Sequence, residues 1–380
     1  MEVMEKLSSH LKGRLVDLRK AKREGIKIVG YMPGGYVPEE LILAAGAVPV
    51  CLARGGNHAV VELAGAYVVR WLDTFCRSQI GYGLSGDDPY YNLIDILVIP
   101  ITDNHMRGVS DILDYNTDLE IFPFGVPHKK DRHALKYYTQ GIARLKSRLE
   151  ILTGKEITES SLREAVDLCN RERDLFRNIS LMRKSESIPI TSKDFVGLHH
   201  ASFFADKRVM VDVLGSLYEM FKKGVSLSQD SPRILLTGST LAQGDNNILD
   251  LIGQAGGLVV MEEFAEGMRP YWESVKTDGN LLEDLADCYF WRRVPPAWFR
   301  PDKERLDFLV KLAEDYNVKG VIWYQLMYRE SYKLESYYFP NILKRETGLP
   351  MLTLESDYDT AEAGQMLTRI ETFIETIGRR

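Results

Sequence analysis

Ile28-Val-Gly-Tyr-Met-Pro-Gly-Gly-Tyr-Val-Pro-Glu-Glu-Leu-Ile-Leu-Ala-Ala-Gly-Ala-Val-Pro-Val50 decides the fold. It reads as a buried strand, a Pro/Gly turn, a short helix and a second strand. Pro33, Gly34 and Gly35 form a turn whose backbone can come close to another group with no side chain between. Pro38 suits the first position of a helix, and Glu39 and Glu40 suit its positive end. Gly46 supplies a stop.

Outward from this unit the same grammar continues. Residues 2–24 predict a helix. Residues 93–99 are a near-continuous apolar run, as expected of a parallel strand buried on both faces. Residues 102–113 predict a helix with Asp103 as its N-cap, and 119–124 the next strand. From Pro232 the pattern restarts, with strands at 233–238, 258–261, 319–325 and 349–354 and helices at 248–255, 302–317 and 359–377. Between the two lies a stretch of long, charged helical patterns. The expectation is an α/β protein of two doubly wound parallel-sheet domains, residues 1–155 and 231–380, with a helical layer at 156–230. Such sheets bind ligands at the carboxyl ends of their strands, often between domains.

Composition narrows the function classes. With 54 acidic and 48 basic residues the net charge is −6, which gives no bulk electrostatic support for nucleic-acid binding. No apolar run approaches the roughly 18 residues that span a bilayer, and the charged N-terminus lacks a signal-peptide core. The four cysteines, Cys51, Cys76, Cys169 and Cys288, are isolated. They read as reduced thiols of a cytoplasmic protein.

Several residues invite chemistry. His105 follows Asp103 at a strand end and can serve as a general base beside a carboxylate, or simply sit at a helix cap. Arg269, after Glu262-Glu263, can clamp a phosphate or carboxylate, or pair with a neighbouring acid. Gly55-Gly56 offers another bare-backbone loop, and the 238–244 turn is neither a dinucleotide fingerprint nor a P-loop. His199-His200 lacks ligand-spaced partners for a metal. The aromatic-rich stretch 323–339 suits core or a partner interface.

Taken together the landmarks resemble the 2-hydroxyacyl-CoA dehydratase and benzoyl-CoA reductase subunit family. The residues that carry the resemblance are Tyr31-Met-Pro, Val37 to Val50, Gly55-Gly56, Arg77-Ser78 before Gly81-Tyr-Gly-Leu84, Pro100-Ile-Thr-Asp103, Gly320-Val-Ile-Trp, Tyr328-Arg-Glu330 and Thr368 to Phe373. The resemblance implies two flavodoxin-like domains with a helical part, working as a heterodimer with a homologous, cluster-bearing subunit or as a homodimer. It implies a [4Fe-4S] cluster in the cleft that passes one electron to a CoA-thioester. That thioester then loses water or is reduced at an aromatic ring, and an ATP-dependent activator protein supplies the electron.

The family pattern places three cluster cysteines where this chain has Asp73, Thr102 and Arg329. Cys76 lies one helical turn past the first of these places and, with Asp73, is the remaining candidate for a metal ligand. A cubane takes three or four thiolates, so the expected role is a cluster-poor partner subunit acting on a CoA-thioester. The alternative is a non-redox binding or scaffold protein that holds a small anion in the cleft, with Arg329 its natural partner. The substrate-contact candidates are Gly34, Gly35, Tyr36, Gly55, Gly56, Arg269 and Arg329, and the candidate catalytic pair is His105 with Asp103.

Overall fold

The computed structural model describes residues 2–224, 231–301 and 303–378. The expected end of the helical layer at 230 and the expected start of a helix at Asp302 lie outside the described residues. The first domain is built from α1 (Glu2–Arg23), β1 (Ile28–Tyr31), α2 (Glu39–Ala44), β2 (Val48–Cys51), α3 (His58–Leu63), α4 (Thr74–Ser85), β3 (Ile96–Ile101), α5 (Asn104–Asn116), β4 (Glu120–Gly125) and α6 (Arg132–Thr153). Three helices follow, α7 (Glu159–Met182), α8 (Ser192–Ser202) and α9 (Lys207–Lys222). The second domain holds β5 (Arg233–Gly238), α10 (Asn247–Gln254), β6 (Leu258–Glu263), α11 (Leu281–Ala286), α12 (Lys303–Asp315), β7 (Gly320–Leu326), α13 (Glu330–Thr347), β8 (Met351–Ser356) and α14 (Ala363–Gly378).

Both sheets are parallel, four-stranded and wound in the same order, β2-β1-β3-β4 and β6-β5-β7-β8. The central strands β3, β5 and β7 are apolar on both faces because helices cover both, and β5 and β7 are buried along their whole length. At β1 and β5 the strand order reverses, so the loops after them open into a crevice at the carboxyl edge.

The helical layer has an unexpected member. α1 packs on α9, and Arg14 donates through Nε to the carbonyl of Phe204 at 2.7 Å. The stretch after β6 also departs from simple winding. It crosses to the first domain, where Leu281 and Leu285 join the core beneath α6, and the hydroxyl of Tyr289 donates to Glu40 at 2.8 Å.

Backbone rather than side chains joins the two sheets at one edge. The Gly55 amide donates to the Gln243 carbonyl, and the Gln243 amide to the Ala53 carbonyl, both at 2.8 Å. Gly56 has φ +73°, and a Cβ there would lie 2.5 Å from the Gly244 carbonyl. Glycine is therefore required for this approach. Asp245, next along, is buried with the Tyr324 hydroxyl as its partner at 2.7 Å.

Burial pushes the Asp245 carboxyl from its ordinary value of 3.8 up to about 7. Folded protein thus keeps a proton that the unfolded chain has released, and stability falls as pH rises through the interval between those two values. Asp245→Asn, which keeps an acceptor for Tyr324, should melt above the wild type at pH 8. The gap should be on the order of a few kcal/mol in denaturant titrations and should close toward pH 4. An unchanged gap across that range would show that Asp245 is not the titrating group.

Candidate functional site

Three helix N-termini converge where the two domains face each other. Asp73 caps α4 by accepting from the Cys76 amide at 2.9 Å. Asp103 caps α5 by accepting from the amides of His105 and Met106 at 2.9 and 3.0 Å. Arg329 stands at the N-cap of α13, from the other domain. Its guanidinium reaches across the cleft, with Nη1 donating to Asp73 Oδ1 at 3.2 Å and Nη2 to Asp103 Oδ2 at 2.7 Å. An arginine at a positive helix end is electrostatically unfavourable by itself; the two capping carboxylates reverse that. Tyr328, with φ +67°, holds the preceding backbone in the left-handed region.

The electrostatics follow from this triad. Burial lifts the Asp103 carboxyl, but Arg329 and the α5 amides outweigh it and hold it below its ordinary value. Arg329 stays protonated against the pull of burial because Asp103 and Asp73 face it. The Cys76 sulfur lies 3.4 Å from Arg329 Nη1 and 3.8 Å from Met106 Sδ. Burial, reinforced by Asp73, pushes its thiol well above the ordinary range.

A [4Fe-4S] cluster does not fit here. The places where the resemblance leads one to expect thiolates, Asp73, Thr102 and Arg329, hold a carboxylate, a hydroxyl and a guanidinium. Thr102 Oγ1 donates to Asp103 at 3.2 Å, and Cys76 and Asp73 both face Arg329. The adjoining void, lined by Gly34, Thr102, Arg269, Arg329 and Tyr332, is small, about 30 Å³. Among the described residues no group of three or more His, Cys, Asp or Glu is placed to hold a metal ion.

The remaining candidates scatter around this centre. The His105 ring does not pair with Asp103. Its Nδ1 accepts from the Asp73 amide at 3.0 Å, and its Nε2 lies 2.6 Å from Glu330 Oε2, so Nε2 carries the proton. Arg269 is buried and donates to Glu263 Oε1 at 2.6 Å, which makes it the partner of a neighbouring acid. Tyr36 is buried, its ring stacked on Phe299 at 6.2 Å, and its carbonyl accepts from the Tyr138 hydroxyl. Gly34 and Gly35 lie at the cleft, lining voids on both sides of their turn, whereas Gly55 and Gly56 pack on the backbone of the second domain. His199 is wedged between Phe176 and Phe195, and His200 Nε2 donates to the Leu241 carbonyl. Glu330 and Tyr332 were visible in the sequence only as parts of a motif and an aromatic stretch.

Comparison with known proteins bears on this geometry. The family model described as 2-hydroxyglutaryl-CoA dehydratase, D-component, matches residues 35–377. An Escherichia coli protein provisionally named as a dehydratase subunit, YjiM, is 27% identical over 94% of this chain and 93% of its own length. The (R)-phenyllactyl-CoA dehydratase beta subunit of Clostridium sporogenes is 22% identical over 95% and 94%. One of the benzoyl-CoA reductase subunits of Thauera aromatica is 26% identical over 78% and 77%.

The triad predicts a specific stability pattern. Arg329→Met leaves Asp73 buried without its counter-charge and should cost about 3 kcal/mol in denaturant titrations. Adding Asp73→Asn and Asp103→Asn should restore most of that loss. If the triple variant is no more stable than Arg329→Met alone, the charge balance is not what holds this junction.

Proposed function

Because the chain belongs to the 2-hydroxyglutaryl-CoA dehydratase D-component family, we propose that it is the cluster-free subunit of a dehydratase or reductase assembly that acts on an acyl-CoA thioester. One observation carries this reading: an arginine neutralised by two carboxylates stands where the family pattern calls for thiolates. Electron transfer then belongs to a homologous partner subunit that bears the [4Fe-4S] cluster and receives its electron from an ATP-dependent activator. The role of this chain is to shape the cleft, with the Gly34-Gly35 turn offering bare amides toward the thioester.

A surface beside the cleft supports the partner. Leu63, Tyr67, Val69 and Trp71 are exposed together between α3 and α4, and Trp71 packs edge-on against Tyr328 at 5.5 Å. Val69 is 68% exposed, and a cluster of exposed apolar side chains is the kind of surface that partners cover. The patch therefore adjoins the loop that carries Arg329. An anion held by Arg329, the alternative, has less support, since Arg329 already faces two carboxylates. No helix among the described residues is long and apolar enough to cross a membrane.

Anaerobic co-expression with a cysteine-bearing homologous subunit should yield a heteromer on size exclusion. Val69→Asp with Trp71→Arg should abolish it while leaving the melting temperature of the isolated chain unchanged. A chain that remains alone, or that forms only a complex with itself, contradicts the heteromeric assignment.

A further inference from the structure

Behind the Pro33–Gly35 turn, on the side away from Arg329, lies a second void of about 50 Å³. All three parts of the molecule line it: Tyr31, Gly35 and Glu39 from the first domain, Glu172 from the helical layer, and Tyr289 and Arg293 from the second domain. Most ionic groups around it are matched. Lys207 pairs with Glu39 at 2.7 Å and Glu172 at 2.8 Å, and Arg173 pairs with Glu40 at 2.5 Å.

Arg293 is the exception. It is 3% exposed, yet no carboxylate among the described residues lies within ion-pair distance. Its Nε has no partner, and Nη1 makes one long bond, 3.5 Å, to the Arg269 carbonyl. The guanidinium rests over the Tyr289 ring at 4.8 Å. A Cβ on Gly35 would come within 2.7 Å of its Nη1, so the glycine lets the charge lie against bare backbone. A buried, unpaired cation is costly unless something anionic completes it. Across the same void, Glu172 Oε1 is buried and also without a partner.

We infer that this cavity is a binding site for a small monocarboxylate, its carboxylate group held by Arg293. Charge sets the valence. Lys207 already answers Glu39 and Glu172, and Arg173 answers Glu40, so Arg293 is the cation left to meet a ligand, one positive charge for one carboxylate. Burial, together with Glu39, raises the Glu172 carboxyl to about 7, against the opposing pull of Lys207. A monoanion completes the site; a dianionic sulfate or phosphate overfills it. Planar carboxylate geometry also matches the guanidinium fork. The void takes only a few non-hydrogen atoms, and Val37, Phe203 and Ala265 provide apolar wall for a short carbon chain. The inference stands apart from the acyl-CoA reading, since it concerns free carboxylates and needs no partner subunit.

Calorimetric titration of the full-length chain, freed of carboxylate buffers, tests it with acetate, glycolate and lactate against sulfate. At least one carboxylate should bind saturably at one site per chain and raise the melting temperature. Arg293→Met should weaken that binding by about ten- to a hundredfold, and Arg293→Lys should weaken it less. In carboxylate-free buffer Arg293→Met should melt no lower than the wild type, since it removes an unpaired buried charge; a purely structural arginine would give a lower melting temperature. Absence of saturable carboxylate binding, tighter binding of sulfate, or undiminished binding by Arg293→Met would overturn the inference. None of these outcomes depends on whether the chain enters a heteromer.

Discussion

One guanidinium ties the cleft together. Arg329 belongs to the second domain, yet both its carboxylate partners cap helices of the first. Each of those carboxylates already satisfies helix amides that would otherwise lack partners. The arginine completes a unit in which one cation answers two capping carboxylates across the junction between the domains. Such an arrangement contributes little net stability when compared with well-packed apolar residues, but it strongly penalises loss of any single member. It therefore specifies how the two sheets face each other more than it strengthens them.

The rest of the cleft is arranged around that fixed point. On one flank, Gly55, Gly56, Gln243 and Gly244 bring the two backbones into direct contact. On the other, the Pro33–Gly35 turn separates two small voids of different chemistry. The void beside Arg329 adjoins a cation that already faces two carboxylates, Asp73 and Asp103; the one beside Arg293 adjoins a cation with no carboxylate at ion-pair distance among the described residues. The places where the resemblance expects thiolates hold an internal ion cluster, Asp73 and Arg329 with Asp103 beside Thr102, and an open positive charge lies on the far side of the same turn.

Much of this frame could be read from the sequence. The near-continuous apolar run at 93–99 marked β3, because a strand covered on both faces needs no polar alternation. Asp103 announced its helix, since a short side chain before an amphipathic stretch caps it. Asp73, Thr102 and Arg329, the places where the resemblance expects thiolates, lie together in space. Partner choice was not legible. Nothing in the spacing of Glu262, Glu263 and Arg269 says which acid the arginine meets, and His105 turned from Asp103 beside it to Glu330, 225 residues away. The same limit hid Arg293, whose meaning lies in the absence of a counter-charge once 269–293 folds back onto the first domain. Long-range side-chain pairing depends on packing that local periodicity does not encode.

Arg329 with Asp73 and Asp103, rather than a cluster, fills the place where the resemblance expects thiolates. Iron and sulfide content of the isolated chain, measured with its visible spectrum after anaerobic reconstitution, tests it most directly. No bound iron–sulfur centre is expected, with spectra of the wild type and Cys76→Ala alike. Several irons per chain, lost on Cys76→Ala, would contradict it.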